Sequence, residues 1–509
     1  MRYMLSLIAL VLCCGSLSAT TIDPYTTEQL LRQADLVAEL ECTRAGGIVA
    51  EYSVVRTWKG LKPGDKVRIR VTPNYWGPQF PVAYVGQHWL VTASNANPYA
   101  RMMSTTSGGP TPVWWRDLKC DYRLPLFQGR WLIDPDDPEK GYSDEEKKWL
   151  GDLLKRFDRF CKGTATQQEA FLLASIVAKR LPGRYDDDEK VAAEAKAFVE
   201  EVGKLEDPVE ILKKLITRAK AADKESTERY QWMIAEGGLA KCKEYLAGLK
   251  DEDVPFDRKA LVSGLEEKLK PDNAEDSKPD EPEAEEPPTS EQLSAWRKTF
   301  AADDESSDEF WEAFEALIRH DPEPVINWAK DKKFERDHWS SAERPFGLGS
   351  YIAWRCGKDR KKHLTTLLEA KEDGVAISAA VWLYMEDGEA GKKALEKYAD
   401  KADRGGWWAA LTLARRGETG HMDNLFKLMG NDPDGGMQGM PVDVLKQRLM
   451  CLLSNSAAAS GVKRPPLYAP DGGGTEGWET ALRKWWKANS EKLKLSDPWL
   501  PELVEQKVD

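Results

Sequence analysis

Between Phe346 and Met429 the apolar positions recur with a period near thirty residues, the spacing at which helical solenoids show themselves in sequence. Gly357, Gly388 and Gly417 stand 31 and 29 residues apart, and eight residues before each lies a small residue, Gly349, Ala380 and Ala409. The segments SYIAWRCG, AAVWLYMEDG and AALTLARRG have the length and composition of helices, so each glycine reads as a helix stop. Seven or eight residues beyond each glycine a leucine opens or joins a second apolar stripe: Leu364, Leu367 and Leu368, then Leu395, then Leu425 and Leu428. The unit predicted is two antiparallel helices joined by a short turn. Such a pair cannot bury both apolar faces alone, so stacking the pairs creates the core.

The pattern differs elsewhere. From Asp35 the segments DLVAELEC, GIVAEYSVVRTWKG, KVRIRV and HWLVTAS alternate or run apolar and are rich in β-branched residues, which predicts four strands, with a fifth near Tyr122 to Leu126. Gly46-Gly47, Pro63-Gly64-Asp65 and Gly86 supply the turns, and five short strands suggest a small partly open barrel or sandwich. After the polar stretch DPDDPEKGYSDEE, where Ser143 and Asp144 can cap a helix, three-and-four spacing persists over 143–269, as in Trp149, Leu150, Leu153, Leu154 and Phe157. Val191 to Val202 and Val209 to Ala222 are further helices of this region, which reads as repeat-like without clear glycine punctuation. Residues 270–289 carry eight acidic side chains, two lysines and five prolines, a composition that cannot offset chain entropy and reads as a disordered linker. Beyond it, Glu291 to Ala301, Asp308 to Arg319 and a helix opened by Pro322 and Pro324 lead into the array. Near the end Trp478, Leu482, Trp485 and Trp486 form one helical stripe, the atypical last unit that a repeat array needs.

Two resemblances follow from these residues. Ala34-Asp35, Val54, Val55, Trp58-Lys59-Gly60, Gly64, Val67, Ile69, Val71, Gly86 and Leu90 resemble the N-terminal β-domain of many bacterial exported proteins, similar to the OB-like barrel of tissue-inhibitor and netrin-like modules. The resemblance covers Thr26 to about Ser94 and implies a binding domain. The inhibitors of that superfamily depend on a cysteine at the mature N-terminus, which this chain lacks near Thr20 and Thr21, so inhibition is not implied with it. From Phe310 to Leu453 the small residue, glycine stop and leucine stripe resemble HEAT-like helical repeats, and the closing helix with its DPW tail is similar to the tryptophan-rich ends of exported HEAT-like proteins. The fold class expected is therefore multidomain. An OB-like barrel over 20–130 is followed by a helical region over 143–269, the linker, a HEAT-like solenoid over 290–457 and a capping segment over 475–509.

Composition narrows the function. At 509 residues several domains are expected, and a net charge of -12 without a basic cluster argues against nucleic acid. Residues 1–19, MRYMLSLIALVLCCGSLSA, have the charged start, apolar middle and small-residue exit of a secretory signal, with Cys14 as a poor lipoprotein alternative. No later apolar run approaches the ~20 residues of a membrane span, so a periplasmic or secreted protein is expected. Six cysteines remain after cleavage, Cys42, Cys120, Cys161, Cys242, Cys356 and Cys451, and spacing alone does not select among their pairings. Cys42 with Cys120 is a first guess because both fall in the β-segment, while Cys356 and Cys451 read as buried thiols on apolar helical faces.

No reaction is spelled out. His88, His320, His338, His363 and His421 show no metal-ligand spacing, and no nucleophile elbow, phosphate loop or Cys-x-x-Cys occurs. The run NDPDGG from Asn431 lacks the closing glutamate of a calcium loop and reads as a turn. His88-Trp89, Trp114-Trp115 and Trp485-Trp486 could line a site, but strand alternation and core packing account for each pair. The expectation is a non-catalytic exported scaffold with a protein partner and no cofactor or metal, its β and helical surfaces engaging separately across the linker. The alternatives are an enzyme or enzyme accessory with a site on the inner face of the solenoid, such as Asp423 or Glu369 beside a histidine, and a proteinase-inhibitor-like β-domain.

Overall fold

Period-two alternation from Leu36 builds a sheet, and three-and-four spacing beyond Asp144 builds helices, in the order the pattern predicts. A computed structural model of the chain describes residues 25–46, 49–70, 83–95, 121–123, 130–132, 144–181, 189–269, 287–304, 307–332, 356, 359–387, 389–430, 440–466 and 474–500. Helix α1 (Thr27–Gln33) precedes strands β1 (Leu36–Arg44), β2 (Val49–Lys59), β3 (Lys66–Arg70), β4 (His88–Asn95), β5 (Tyr122–Arg123) and β6 (Arg130–Leu132). Helices α2 (Asp144–Lys162), α3 (Ala165–Arg180), α4 (Glu189–Val202), α5 (Pro208–Ala221), α6 (Lys224–Gly237), α7 (Ala240–Ala247) and α8 (Arg258–Lys268) follow. After the linker come α9 (Ser290–Ala301), α10 (Asp308–His320), α11 (Glu323–Asp331), α12 (Arg360–Leu367), α13 (Asp373–Asp387), α14 (Lys392–Tyr398), α15 (Arg404–Arg415), α16 (Met422–Gly430), α17 (Met440–Ala459) and α18 (Gly474–Asn489). The chain divides into two compact units, Met1–Gln33 with Leu153–Asp272 and Ala34–Asp152 with Asn273–Asp509.

In the first unit α3 opens on a capping box, Thr164 and Gln167 each satisfying the other's backbone N–H. Asp207 caps α5 with Pro208 in its first turn, and α6 ends on Gly238 in the left-handed region. Helix α1, which the strand-rich texture near it conceals, packs on α3. It is fixed by the Glu28 carboxylate, which takes two hydrogen bonds from Arg156 at 2.9 and 2.6 Å, and by Thr26 against Ser175 at 2.8 Å.

In the second unit β1 pairs antiparallel with β2 on one side and β4 on the other, so the sheet curls back on itself; β3 and β5 run parallel. Leu36, Ala38, Leu40 and Cys42 of β1, Tyr52 and Val54 of β2, Val67 and Ile69 of β3 and Trp89, Val91 and Ala93 of β4 are buried together. The expected fifth strand is seen in β5, residues 124–126 lying outside the described residues, and β6 is an addition that pairs Trp131 with Leu90. Four residues of the β-domain resemblance, Ala34, Asp35, Lys59 and Gly60, meet at one end. Lys59 bonds the carbonyl of Ala34, Asp35 accepts the Asn95 N–H at 2.8 Å, and Gly60, at φ +94°, passes where a Cβ would stand 2.9 Å from the Asp35 carbonyl. The motif is thus a strand-end lock.

The helical array stacks as expected: α13 packs on α15 and α15 on α17, while α12, α14 and α16 pack against them. Leu364, Leu395 and Leu425 are fully buried. Helix α13 is apolar nearly all round because it is interior on two sides. Its Val375, Ala379 and Leu383 join the core of α9 to α12, whereas Ile377, Ala380, Val381 and Tyr384 join the core that also contains the sheet. Gly391, at φ +83°, passes so close to α13 that a Cβ there would stand 2.4 Å from the Ala380 carbonyl. Gly417 is the predicted stop, at φ +96°, with Glu418 N–H closing onto Leu413 O at 3.1 Å. Gly349, Gly357 and Gly388, Cys120, and most of the linker lie outside the described residues. Sheet and array share one core.

Candidate functional site

The residues singled out in sequence are mostly structural. His88 and Trp89 alternate as strand neighbours must: Trp89 is 1% exposed, and His88 is half-exposed and 3.2 Å from Glu39. Trp485 is buried with its indole N–H on the Lys463 carbonyl at 2.8 Å, and Trp486 is tilted against Phe426, so they form no cage. Trp114-Trp115, His338 and the NDPDGG turn lie outside the described residues. Glu369 meets Lys330 at 2.7 Å and Asp423 meets Arg483 at 2.6 Å, and His421 pairs instead with Asp400 at 2.8 Å.

Those pairs belong to a series along one edge of the array. Lys330–Glu369, Lys371–Asp331 at 2.9 Å, His421–Asp400 and Arg483–Asp423 each tie one helical pair to the next, and Lys401–Asp373 at 3.1 Å ties the end of α14 to the start of α13 within a pair. Hydrogen bonds from Lys330 and Lys371 hold Glu369 and Asp331 below the ordinary carboxylate range. At Asp373 burial opposes charge, but hydrogen bonds from Lys401 and Tyr398 outweigh it, so its pKa too is lowered. Burial, with the hydrogen bond to Asp373, pushes the Tyr398 phenol up to about 12. Carboxylates and a phenol held this way keep one charge state around neutrality and serve as fixed struts rather than proton carriers. Exposed pairs of this kind add little stability singly; their effect is to fix the register of one turn on the next.

A second constellation, which sequence reasoning missed, grips the turn between β1 and β2. Asn455 of α17 accepts the Ala45 N–H through Oδ1 and donates to the Ala45 carbonyl through Nδ2, both at 2.9 Å, as a neighbouring strand would. The same carbonyl accepts the Trp499 indole N–H. Trp499 is 2% exposed, with the Arg44 guanidinium 3.7 Å and that of Arg68 5.6 Å from its ring centroid, and Glu51 pairs with both arginines. A Cβ on Gly46 would stand 3.1 Å from the indole nitrogen, so glycine makes the room. Beside it Arg415, buried, pairs with Asp497, and burial, then Arg415, pulls the Arg448 pKa down to about 9. Chemically this is an indole-binding pocket filled by the chain's own tail. The DPW tripeptide was the sequence signal, but nothing local says what it touches.

Among the described residues no group of three or more His, Cys, Asp or Glu side chains could hold a metal ion, and no helix is long and apolar enough to cross a membrane. No protein-family model, curated protein or solved structure matches this chain.

Proposed function

We propose that the protein is an exported, non-catalytic scaffold in which an OB-like β-domain and a HEAT-like helical array form one rigid body that presents an outer helical face to an acidic protein partner. The strand order, with β1 bonded to both β2 and β4 and β3 parallel to β5, supports the OB-like reading, and the stacked helix pairs support the HEAT-like one. The observation that carries the proposal is what the strut series leaves outside. Lys393 and Lys397 of α14, Lys427 of α16, and Lys484 and Lys487 of α18 are exposed on successive outer helices of a chain whose net charge is -12. A local reversal of sign on a fixed surface steers an acidic partner and sets its register.

The test is crosslinking of the mature chain in an envelope extract, beside a triple variant Lys427→Glu, Lys484→Glu, Lys487→Glu. One protein recovered in stoichiometric amount from the wild type, lost in the variant and weakened by salt, is the expected result. Recovery of nothing, or equal recovery from both chains, overturns the proposal.

A further inference from the structure

Beyond α18 the chain from Leu493 to Trp499 lies in the second unit as a peptide lies in a receptor. Leu493, Leu495 and Trp499 are buried, Lys494 and Ser496 between them are exposed, and Asp497 pairs with the buried Arg415. Side chains that enter at every second position mark an extended strand with one face in a groove.

The groove holds this segment chiefly by its main chain. The Ser456 hydroxyl accepts the Ser496 N–H at 3.0 Å and donates to the Ser496 carbonyl at 3.4 Å, and the Ser460 hydroxyl accepts the Lys494 N–H at 3.0 Å. Four residues of helix rise about 6 Å and two of strand about 6.6 Å, so the two serines match the two amides in step. The Asp497 N–H reaches the last carbonyl of α15, that of Arg415, at 3.3 Å, and Arg44 donates to the Pro498 carbonyl at 3.4 Å. Such bonds read no side chain. Selection falls to the seats of the two leucines, to Arg415 facing the carboxylate, and to the Ala45 carbonyl facing the indole N–H at 2.7 Å. Main-chain bonds for affinity and alternate pockets for specificity are how clefts take extended peptides. Ser456, Asn455 and Arg415 are buried, and buried polar groups are costly unless bonded, so the groove favours an occupant.

We infer that this groove is a receptor for an extended segment of a partner protein with the pattern Leu-x-Leu-x-Asp-x-Trp, and that the chain's own tail is the tethered occupant such a segment displaces. The inference does not rest on the lysine face, none of whose residues enters the groove. A tethered occupant acts at an effective concentration on the order of millimolar, so it shuts out weak ligands and yields when loosened.

The probe is a fluorescent decapeptide of residues 491–500, EKLKLSDPWL, titrated into the full mature chain and followed by anisotropy. Leu495→Ala loosens the chain's own tail and binds the probe at least about tenfold more tightly than the wild type does, with a Kd below roughly 100 μM. The same peptide with alanine for its tryptophan binds at least about tenfold more weakly, and adding Asn455→Ala to Leu495→Ala weakens the probe by about tenfold. Hydrogen exchange on the wild type decides independently of how the variants fold: the Lys494 and Ser496 amides exchange at least about tenfold faster than those of β1, because the tail opens without global unfolding. No binding to Leu495→Ala, equal affinity for the two peptides, or tail amides as protected as those of β1 overturns the inference.

Discussion

The indole N–H of Trp499 donates to the main-chain carbonyl of Ala45 at 2.7 Å, joining residues 454 positions apart. Asn455 donates to the same oxygen, so the two side chains share one acceptor. Trp499→Ala should destabilise the second unit by about 3–5 kcal/mol and Asn455→Ala by about 1–3 kcal/mol in urea unfolding followed by circular dichroism. Because the acceptor is shared, the double variant should depart from additivity by roughly 0.5 kcal/mol or more. Strictly additive losses would mean that the two grips act independently.

Asp497→Asn leaves Arg415 buried without its counter-charge, beside Arg448, whose charged form burial already disfavours. The expected loss is about 3–5 kcal/mol, whereas replacing both partners, Arg415→Met with Asp497→Leu, should cost much less. Denaturant midpoints of the three chains check this. Equal losses would show that packing, not charge, dominates the site.

His363 is buried on α12, and burial, then Lys362, lowers its pKa below the ordinary 6.5 despite the opposing effects of Asp359 and Glu323. As pH falls through that ordinary value the unfolded chain takes up a proton first, so the stability His363 contributes in its neutral form is lost on acidification until the folded pKa is reached. Thermal unfolding of wild type and His363→Leu across this range should show the steeper fall in the wild type. Parallel curves would refute the linkage.

Cys242 and Cys451 are buried thiols, Cys242 pushed up to about 12 and Cys451 raised as well, burial being the chief cause in both. Thiolate, not thiol, reacts with iodoacetamide, so native protein at pH 8 should leave both unmodified while urea exposes them. Peptide mass spectrometry reads the result. Rapid labelling of either in the native state would contradict the burial.

The sequence reading succeeded where the signal was local and periodic. Leu364, Leu395 and Leu425 are buried as their stripe requires, and Gly417 adopts the left-handed conformation of a helix stop. It failed where partners are distant. Asn455 in the middle of an apolar helix reads as a tolerated polar residue until its two bonds to Ala45, 410 positions away, are seen. Likewise Asp400, the partner of His421, belongs to a turn with no motif, and α1 is too short to rise above the strand texture that follows. The all-round apolar character of α13 was the one hint that a further layer covers the array, and its composition rather than its period carried that hint.

Each unit is completed by a stretch far along the chain, and this orders events in time. Synthesis at roughly 5–20 residues per second separates the emergence of Ala45 from that of Trp499 by roughly 20–90 s. Throughout that interval the newborn sheet lacks its clasp and the helices that cover it, exposing apolar surface to every neighbouring chain. A holding chaperone that keeps the chain unfolded until Trp499 has emerged would spare the protein that hazard.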